Sequence, residues 1–261
     1  VMRFDLLQPN KPGKPNPILK YIIDSDADIV CIQEYGVAEN NRRVLSFEDV
    51  IKTLKNTPYH YIHPLRFPYA GQTYGIAVFS KFPILSARSI PYESVYNGSF
   101  VAELDVNGRK VTLINNHLES NQLSEDERQD YYDMTQNINS ENLEAFTHTM
   151  YKRLTPAYIK RAHQAELIAQ VIKENKNPYI IVCGDFNDTP MSYTRYKIKG
   201  NLKDSFVESG SGMGSTYNKH RFLFRIDYIF HSKNMKAYNC TVGRLKNSDH
   251  YPISTYLQFT D

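Results

Sequence analysis

Tryptophan is absent from the 261 residues, whereas tyrosine occurs 20 times and phenylalanine 13 times. Any surface that stacks on a base or meets a lipid must therefore use Tyr and Phe. Cysteine is scarce: Cys31, Cys183 and Cys240 are an odd number without a Cys-x-x-Cys pair. That argues against a disulfide framework and against a zinc site, and buried free thiols are the expectation. No run is long and apolar enough to span a bilayer. A charge excess is missing too, since 31 basic and 28 acidic residues leave +3. Such a balance gives no general attraction to nucleic acid, while a local basic groove stays open. The chain opens on Val1, so the reading allows for a trimmed N-terminus that carried a signal or anchor. A cytoplasmic and a cell-envelope location both fit. With no repeat or low-complexity linker, a single domain over residues 1–261 is expected.

What is present is a series of strands. The Pro- and Lys-rich stretch 8–17 reads as a surface loop, followed by a short helix with Asn16 as N-cap and Pro17 at its first position. Strands are expected at 28–33, 74–80, 99–106, 109–117, 179–185, 225–231 and 251–259. Asn107-Gly108 between two alternating apolar runs marks an antiparallel hairpin. A helix is expected from Thr155 to Asn175, capped by Thr155 with Pro156 in its first turn. Its apolar face carries Tyr158, Ala162, Ala165, Ala169 and Ile172, with Arg161 and Gln164 flanking it. Residues 120–154 are polar and read as a helical insertion. Strands mixed with helices imply two packed sheets covered by helices.

Polar residues recur at the strand ends. "DIVCIQE" finishes on Glu34, "VTLINNH" on Asn116 and His117, and "IIVCGDFN" on Asp185 and Asn187. "RIDYIF" holds Asp227 among apolar neighbours, and "NSDHYPI" sets Asp249 and His250 before the last strand. Each has a bland reading alone: Glu34 as a strand-terminal surface residue, His117 as a structural histidine, Asp188-Thr189-Pro190 as a turn. Asp227 needs a partner if buried, and His250 is a candidate. Together the residue types match metal-assisted hydrolysis of a phosphate ester. Glu34 and Asp249 suit Mg2+, with Mn2+ as a substitute, because a hard cation takes carboxylate oxygens and keeps several waters. Asp185 suits the activation of water, and Asn187, His117 and His250 can donate to phosphate oxygens. Asp227 would hold the tautomer of His250 and favour its cation. Phe186 is expected to point back into the core.

These blocks, with "YGIAVFSKFPI", "NNHLES", "RAHQAELI" and "GDFNDTP" in that order, resemble the endonuclease/exonuclease/phosphatase superfamily over about residues 28–252. The resemblance implies an α/β (α+β) fold, a four-layer α/β/β/α sandwich of two mixed, largely antiparallel sheets flanked by helices. It implies Glu34 as metal ligand, Asp249 near the metal, and Asp185 as the water-activating residue with Asn187 as transition-state donor. It also implies an Asp227–His250 pair and His117 as the phosphate-contacting histidine of an Asn-x-His-Leu motif. Asn116 and Arg161 are the expected further substrate contacts. The superfamily's asparagine at the end of its first strand has no counterpart after Val1, and Asn10 in the Pro-rich loop is a poor substitute. The expectation is that it precedes Val1.

The activity expected is a Mg2+-dependent phosphoesterase, foremost a phosphodiesterase, acting on nucleic acid, phospholipid or sugar phosphate. The alternatives are an inositol- or lipid-phosphate monoesterase, and a catalytically silent binding module. The basic, aromatic-bearing segments 195–203 and 218–225 favour nucleic acid or are solvated loops. No obligate protein partner is evident, and a monomer is expected.

Overall fold

The structure is a computed structural model that describes residues 16–39, 44–65, 72–121, 140–219 and 224–260; within 140–150, His148 is the one described side chain. The first helix, α1 (Pro17–Ser25), begins as expected. Asn16 Oδ1 accepts from the backbone N–H of Ile18 at 2.9 Å and of Leu19 at 3.3 Å, satisfying two of the donors that a helix start leaves open. A second helix, α2 (Phe47–Thr53), starts with a capping box between Ser46 and Asp49. Both pack on the sheet β1–β3–β2, formed by β1 (Ile29–Ala38), β3 (Gln72–Ser80) and β2 (Tyr59–Leu65), all antiparallel. Their shared core holds Ile18, Leu19, Ile22, Ile32, Tyr35, Val50 and Phe79. Each such side chain contributes roughly 1.5–3 kcal/mol by leaving water.

The larger sheet contains β4 (Ile84–Ile90), β5 (Gly98–Val106), β6 (Arg109–His117), β7 (Tyr179–Asp185), β9 (Asp227–His231) and β8 (Lys203–Asp204), in that spatial order. The β5–β6 hairpin turns on Asn107 and Gly108, both at positive φ (54° and 85°), as a two-residue hairpin of this handedness requires. β6 and β7 are parallel, so a crossover must join them. It includes α3 (Ser140–Glu174). Together with α4 (Tyr193–Lys199), α3 covers the outer face of this sheet through Ala165, Ile168 and Ile198, against Ile114, Val182, Tyr228 and Phe230. The inner faces meet through Ile76, Val78, Phe100, Leu104, Leu113 and Cys183. A separate pair, β10 (Met235–Val242) with β11 (Ile253–Phe259), adds Met235, Leu257 and Phe259 to that inner core. The short α5 (Ser205–Ser209) contacts β10. Helix, sheet, sheet and helix give the four expected layers. Mixed strand direction occurs in the larger sheet alone among the described residues.

Two expectations for the long helix are corrected. It does not begin at Thr155: residues 140–154 already belong to it, and Pro156 lies inside. Thr155 is no cap, because its hydroxyl donates backwards to Tyr151 O at 2.5 Å. The helix face is also rotated. Tyr158 is 46% exposed, and the inward stripe runs through Arg161, Gln164, Ala165 and Ile168. Polar Arg161 and Gln164 can turn inward because the backbone of Glu119 takes up their hydrogen bonds. Of the expected insertion, residues 140–154 form the first half of α3, and 122–139 lie outside the described residues. No described helix is long and apolar enough to cross a membrane.

Candidate active site

Three neighbouring strands of the larger sheet end together. His117 on β6 is the register partner of Asp185 on β7, and Asp185 is the partner of Asp227 on β9. Residues in direct register share a face, so all three project toward the opposing sheet. β7 can lie this close to β6 because Gly184 has no side chain: a Cβ there would fall 2.0 Å from Asn116 O, and its φ is +126°.

Glu34 arrives from the other sheet through a bulge. The β1–β3 register slips between Ile32 and Tyr35, and Glu34 takes φ 53°. Strict alternation would send Gln33 and Glu34 to opposite faces; one extra residue brings both to the inner side. Gln33 Nε2 donates to Asn115 Oδ1, Asn115 Nδ2 donates to Ala77 O at 3.1 Å, and Glu34 Oε1 lies 3.9 Å from His117 Nε2. Sequence reasoning passed over Gln33 and Asn115. The signal was there, as a Gln and an Asn inside otherwise apolar strands need partners.

His250 is held from three directions. Its backbone N–H donates to Ser248 Oγ at 3.1 Å, Tyr217 meets its ring edge-on at 5.3 Å, and Nδ1 sits 2.9 Å from Asp227 Oδ2. Thr216, also missed, accepts the Asp227 backbone N–H on its hydroxyl at 3.2 Å. Asp185 Oδ1 accepts the Asn187 backbone N–H at 2.7 Å. Its Oδ2 lies 3.8 Å from His117 Nε2 and 3.9 Å from His250 Nε2. Those gaps are too wide for direct hydrogen bonds, and a ligand oxygen between the groups could reach all three. Asn187, at φ 50°, donates from Nδ2 to Leu118 O at 2.8 Å. An amide has a second hydrogen to offer. Phe186 is fully buried against Tyr228 and Phe230, as expected.

The buried groups titrate apart. Burial drives His117 down to about 3, helped by the charge of His250 and opposed by Asp227 and Asp249. Burial opposes the His250 cation as well, yet Asp227 and Asp185 outweigh it and raise this imidazole to about 9. Asp185 is raised to about 7 by burial and by Asp227, against the pull of His250. Asp227 stays below its usual value, because the charge and hydrogen bond of His250 overcome its burial. At neutral pH, then, His250 is cationic, His117 neutral, and Asp185 poised between its two forms.

A cation fits here on chemical grounds. Asp185, Asp227 and His250 bring potential ligand atoms within 4.8 Å of one another. A dehydrated carboxylate raised to about 7 is one whose ionised form is short of positive charge. The Nδ1 of His250 and Oδ2 of Asp227 are already committed to each other. The oxygens left for a hard ion are therefore those of Asp185 and of Glu34, whose Oε1 lies 3.9 Å from His117 Nε2.

Three expectations change. Asn116 alternates away from His117 and donates to Cys183 O at 2.9 Å, so it ties β6 to β7 and does not face the site. Arg161 has no exposed surface. Its Nη1 donates to Glu119 O at 2.8 Å and its Nε lies 3.4 Å from Asp188 Oδ2, which makes it a strut between the loops that follow β6 and β7. Asp188 is thus a buried ion-pair partner and not part of a solvated turn.

The profile of the Endonuclease/Exonuclease/phosphatase family matches residues 6–250. No curated protein sequence matches the chain. Among solved structures, a Leptotrichia buccalis endonuclease/exonuclease/phosphatase family protein aligns at 18% identity and TM-score 0.65, over 99% of this chain and 98% of its own. Truncated Caenorhabditis elegans TDP2 aligns at 18% identity and TM-score 0.58, over 93% and 88%. The Bacteroides thetaiotaomicron mannosyl-6-phosphatase aligns at 16% identity and TM-score 0.54, over 93% and 90%. At such identities the structures speak for the fold, and the profile match speaks for the lineage. With the strand-end carboxylates and imidazoles gathered in one place, the chain belongs to the endonuclease/exonuclease/phosphatase family and is a metal-dependent hydrolase of phosphate esters.

Proposed function

We propose that the protein is a phosphodiesterase, and that Asp185 activates the water that attacks the phosphorus in line with the leaving oxygen. The observation that carries this reading is Asp185 Oδ2 standing 3.8 Å from His117 Nε2 and 3.9 Å from His250 Nε2. A carboxylate raised to about 7 is matched to accepting a proton near neutral pH. Its Oδ1 is fixed by Asn187, leaving Oδ2 as the acceptor that faces the gap. His250, held cationic by Asp227, donates from Nε2 to a phosphate oxygen as charge builds on it. His117, neutral, donates with its single N–H from Nε2, and Asn187 offers its second amide hydrogen. Glu34 and Asp249 would hold Mg2+ beside Asp185, and the ion when bound would supply positive charge to the phosphate.

A diester is favoured over a monoester by charge. Among the described residues, His250 is the cation acting on Asp185 and His117, and no lysine or arginine joins it. One cation beside a metal suits the single charge of a diester better than the double charge of a monoester. The monoester alternative draws on the neighbour named a mannosyl-6-phosphatase. Nucleic acid is less favoured than the basic segments suggested. Arg195 and Arg225 each spend their charge on Asp204, at 2.8 Å, and residues 220–223 lie outside the described residues.

The test is hydrolysis of bis(p-nitrophenyl) phosphate with magnesium. Asp185→Asn should lower kcat by roughly 10²–10⁴ with an unchanged circular dichroism spectrum. Turnover within a factor of two of wild type would sink the assignment of Asp185.

A further inference from the structure

A polar cavity of about 530 Å³ lies between the loop after α5 and the loop after β10. Its lining includes Ser211, Gly214 and Ser215 on one side, and Arg244, Lys246 and Tyr251 on the other. Among the described residues that line it there is no carboxylate. Neither Arg244 nor Lys246 has an ion-pair partner among the described residues, although both are exposed.

The backbone of the first loop is unusual in the same direction. Gly212 and Gly214 have φ of +74° and +66°, while Ser211, Met213 and Ser215 between and around them do not take positive φ. Alternating φ of this kind is compatible with a nest, in which successive N–H groups turn to one side and bind an anion, and Ser211, Gly214 and Ser215 line the cavity. Among the described residues, none of the backbone N–H groups from Ser211 to Ser215 has an acceptor. The shape is enforced from below, because a Cβ on Gly214 would fall 2.4 Å from the Phe206 ring. Solvent-facing N–H groups, hydroxyls, two exposed cations and no carboxylate suit a phosphate that displaces water from the cavity.

The cavity is next to the catalytic residues but separate from them. Ser215 precedes Thr216, which accepts the Asp227 N–H on its hydroxyl and the Tyr251 N–H on its carbonyl, the latter at 2.6 Å. Lys246 lies four residues before His250 on the same loop. Neither cation figures among the charges acting on His250 or Asp185. We infer that this cavity is a phosphate-binding subsite, which receives a phosphate other than the one being cleaved. The inference rests on the phosphodiesterase reading for its purpose and on the loop geometry for its existence.

The two are tested apart. Inorganic phosphate is titrated into the full chain while the backbone amide resonances of Gly212 and Gly214 are followed by NMR. The expected result is a saturable shift of both, with affinity weakened about tenfold or more in the R244A/K246A double variant, the scale of losing charge-assisted bonds. Amides that do not move, or that titrate alike in wild type and the double variant, overturn the subsite. A second arm uses Asp185→Asn protein and a dinucleotide with a terminal phosphate. If the glycine amides respond to it at lower concentration than to inorganic phosphate, the subsite serves the substrate. If they respond to inorganic phosphate alone, the subsite stands and its ligand is the free anion. Turnover of bis(p-nitrophenyl) phosphate, which has no second phosphate, judges the phosphodiesterase reading independently.

Discussion

His117 and His250 lie within 4 Å of the same Asp185 oxygen, yet one is driven down to about 3 and the other up to about 9. Both are buried, and burial disfavours both cations; the difference is Asp227, 2.9 Å from His250 Nδ1. The active form in the proposed reaction has Asp185 ionised and His250 protonated. Activity should therefore rise as pH passes about 7 and fall as it passes about 9, with bound metal moving the acid limb lower. Asp227→Asn removes the negative charge and keeps a similar shape. The alkaline limb of kcat/KM should then move down by at least one pH unit, with kcat at pH 7.5 reduced by roughly 10² or more. A pH–rate profile checks both, and an alkaline limb left near 9 would show that Asp227 does not set the charge of His250.

At the scale of elements, the strands that escaped the sequence all lie at sheet edges, although the edge strands β1 and β11 were read. β5, β6 and β7 match their expected ranges to within a residue, and the Asn107-Gly108 hairpin is where it was read. β2, β4, β8 and β10 escaped, and each lies at the edge of its sheet. An edge strand is half solvated, so its side chains need no clean alternation, and β2 even tolerates Pro64. β1 was read as ending at Gln33 because Glu34 looked like a terminus; the bulge lets the strand continue to Ala38. Of the site, Glu34, His117, Asp185 and Asp227 were legible as polar residues on apolar strands, and Asn187 and His250 as polar residues just beyond them. The supporting Gln33, Asn115 and Thr216 were passed over, because neutral amides and a hydroxyl carry no charge that asks for a particular chemistry, and only the fold shows which groups they hold. Gln33→Leu tests this support. It leaves Asn115 Oδ1 buried without its donor, and should lower stability by about 1–3 kcal/mol in urea unfolding. Loosening the bulge should also raise, several-fold, the magnesium concentration needed for half-maximal activity. Unfolding and metal dependence both unchanged would mean that the Gln33–Asn115 bond does not position Glu34.

For the molecule as a whole, the catalytic groups make folding itself depend on pH. Asp185 is raised from 3.8 to about 7 on folding, so the folded state holds its proton where the unfolded chain has released it. Stability from this group is lost as pH rises toward 7. His250 is raised from 6.5 to about 9, so its contribution is full below 6.5 and is lost as pH rises through 9. His117, lowered to about 3, acts in the opposite sense, but only between 3 and 6.5, where it offsets Asp185. Above pH 6.5 the two raised groups pull together. From pH 6.5 to 8.5 metal-free protein should lose stability on the order of a few kcal/mol, with the two groups titrating as a coupled pair. In a chain this size that is a fall in Tm of roughly 6–12 °C. In the proposed assignment magnesium would bind the ionised carboxylates, and so would stabilise the alkaline form more than the acidic one. Calorimetric scans at the two pH values, with a chelator and with excess magnesium, should show a large gap that the metal narrows. A gap of equal size in both would mean that the metal does not bind the carboxylates whose burial creates it.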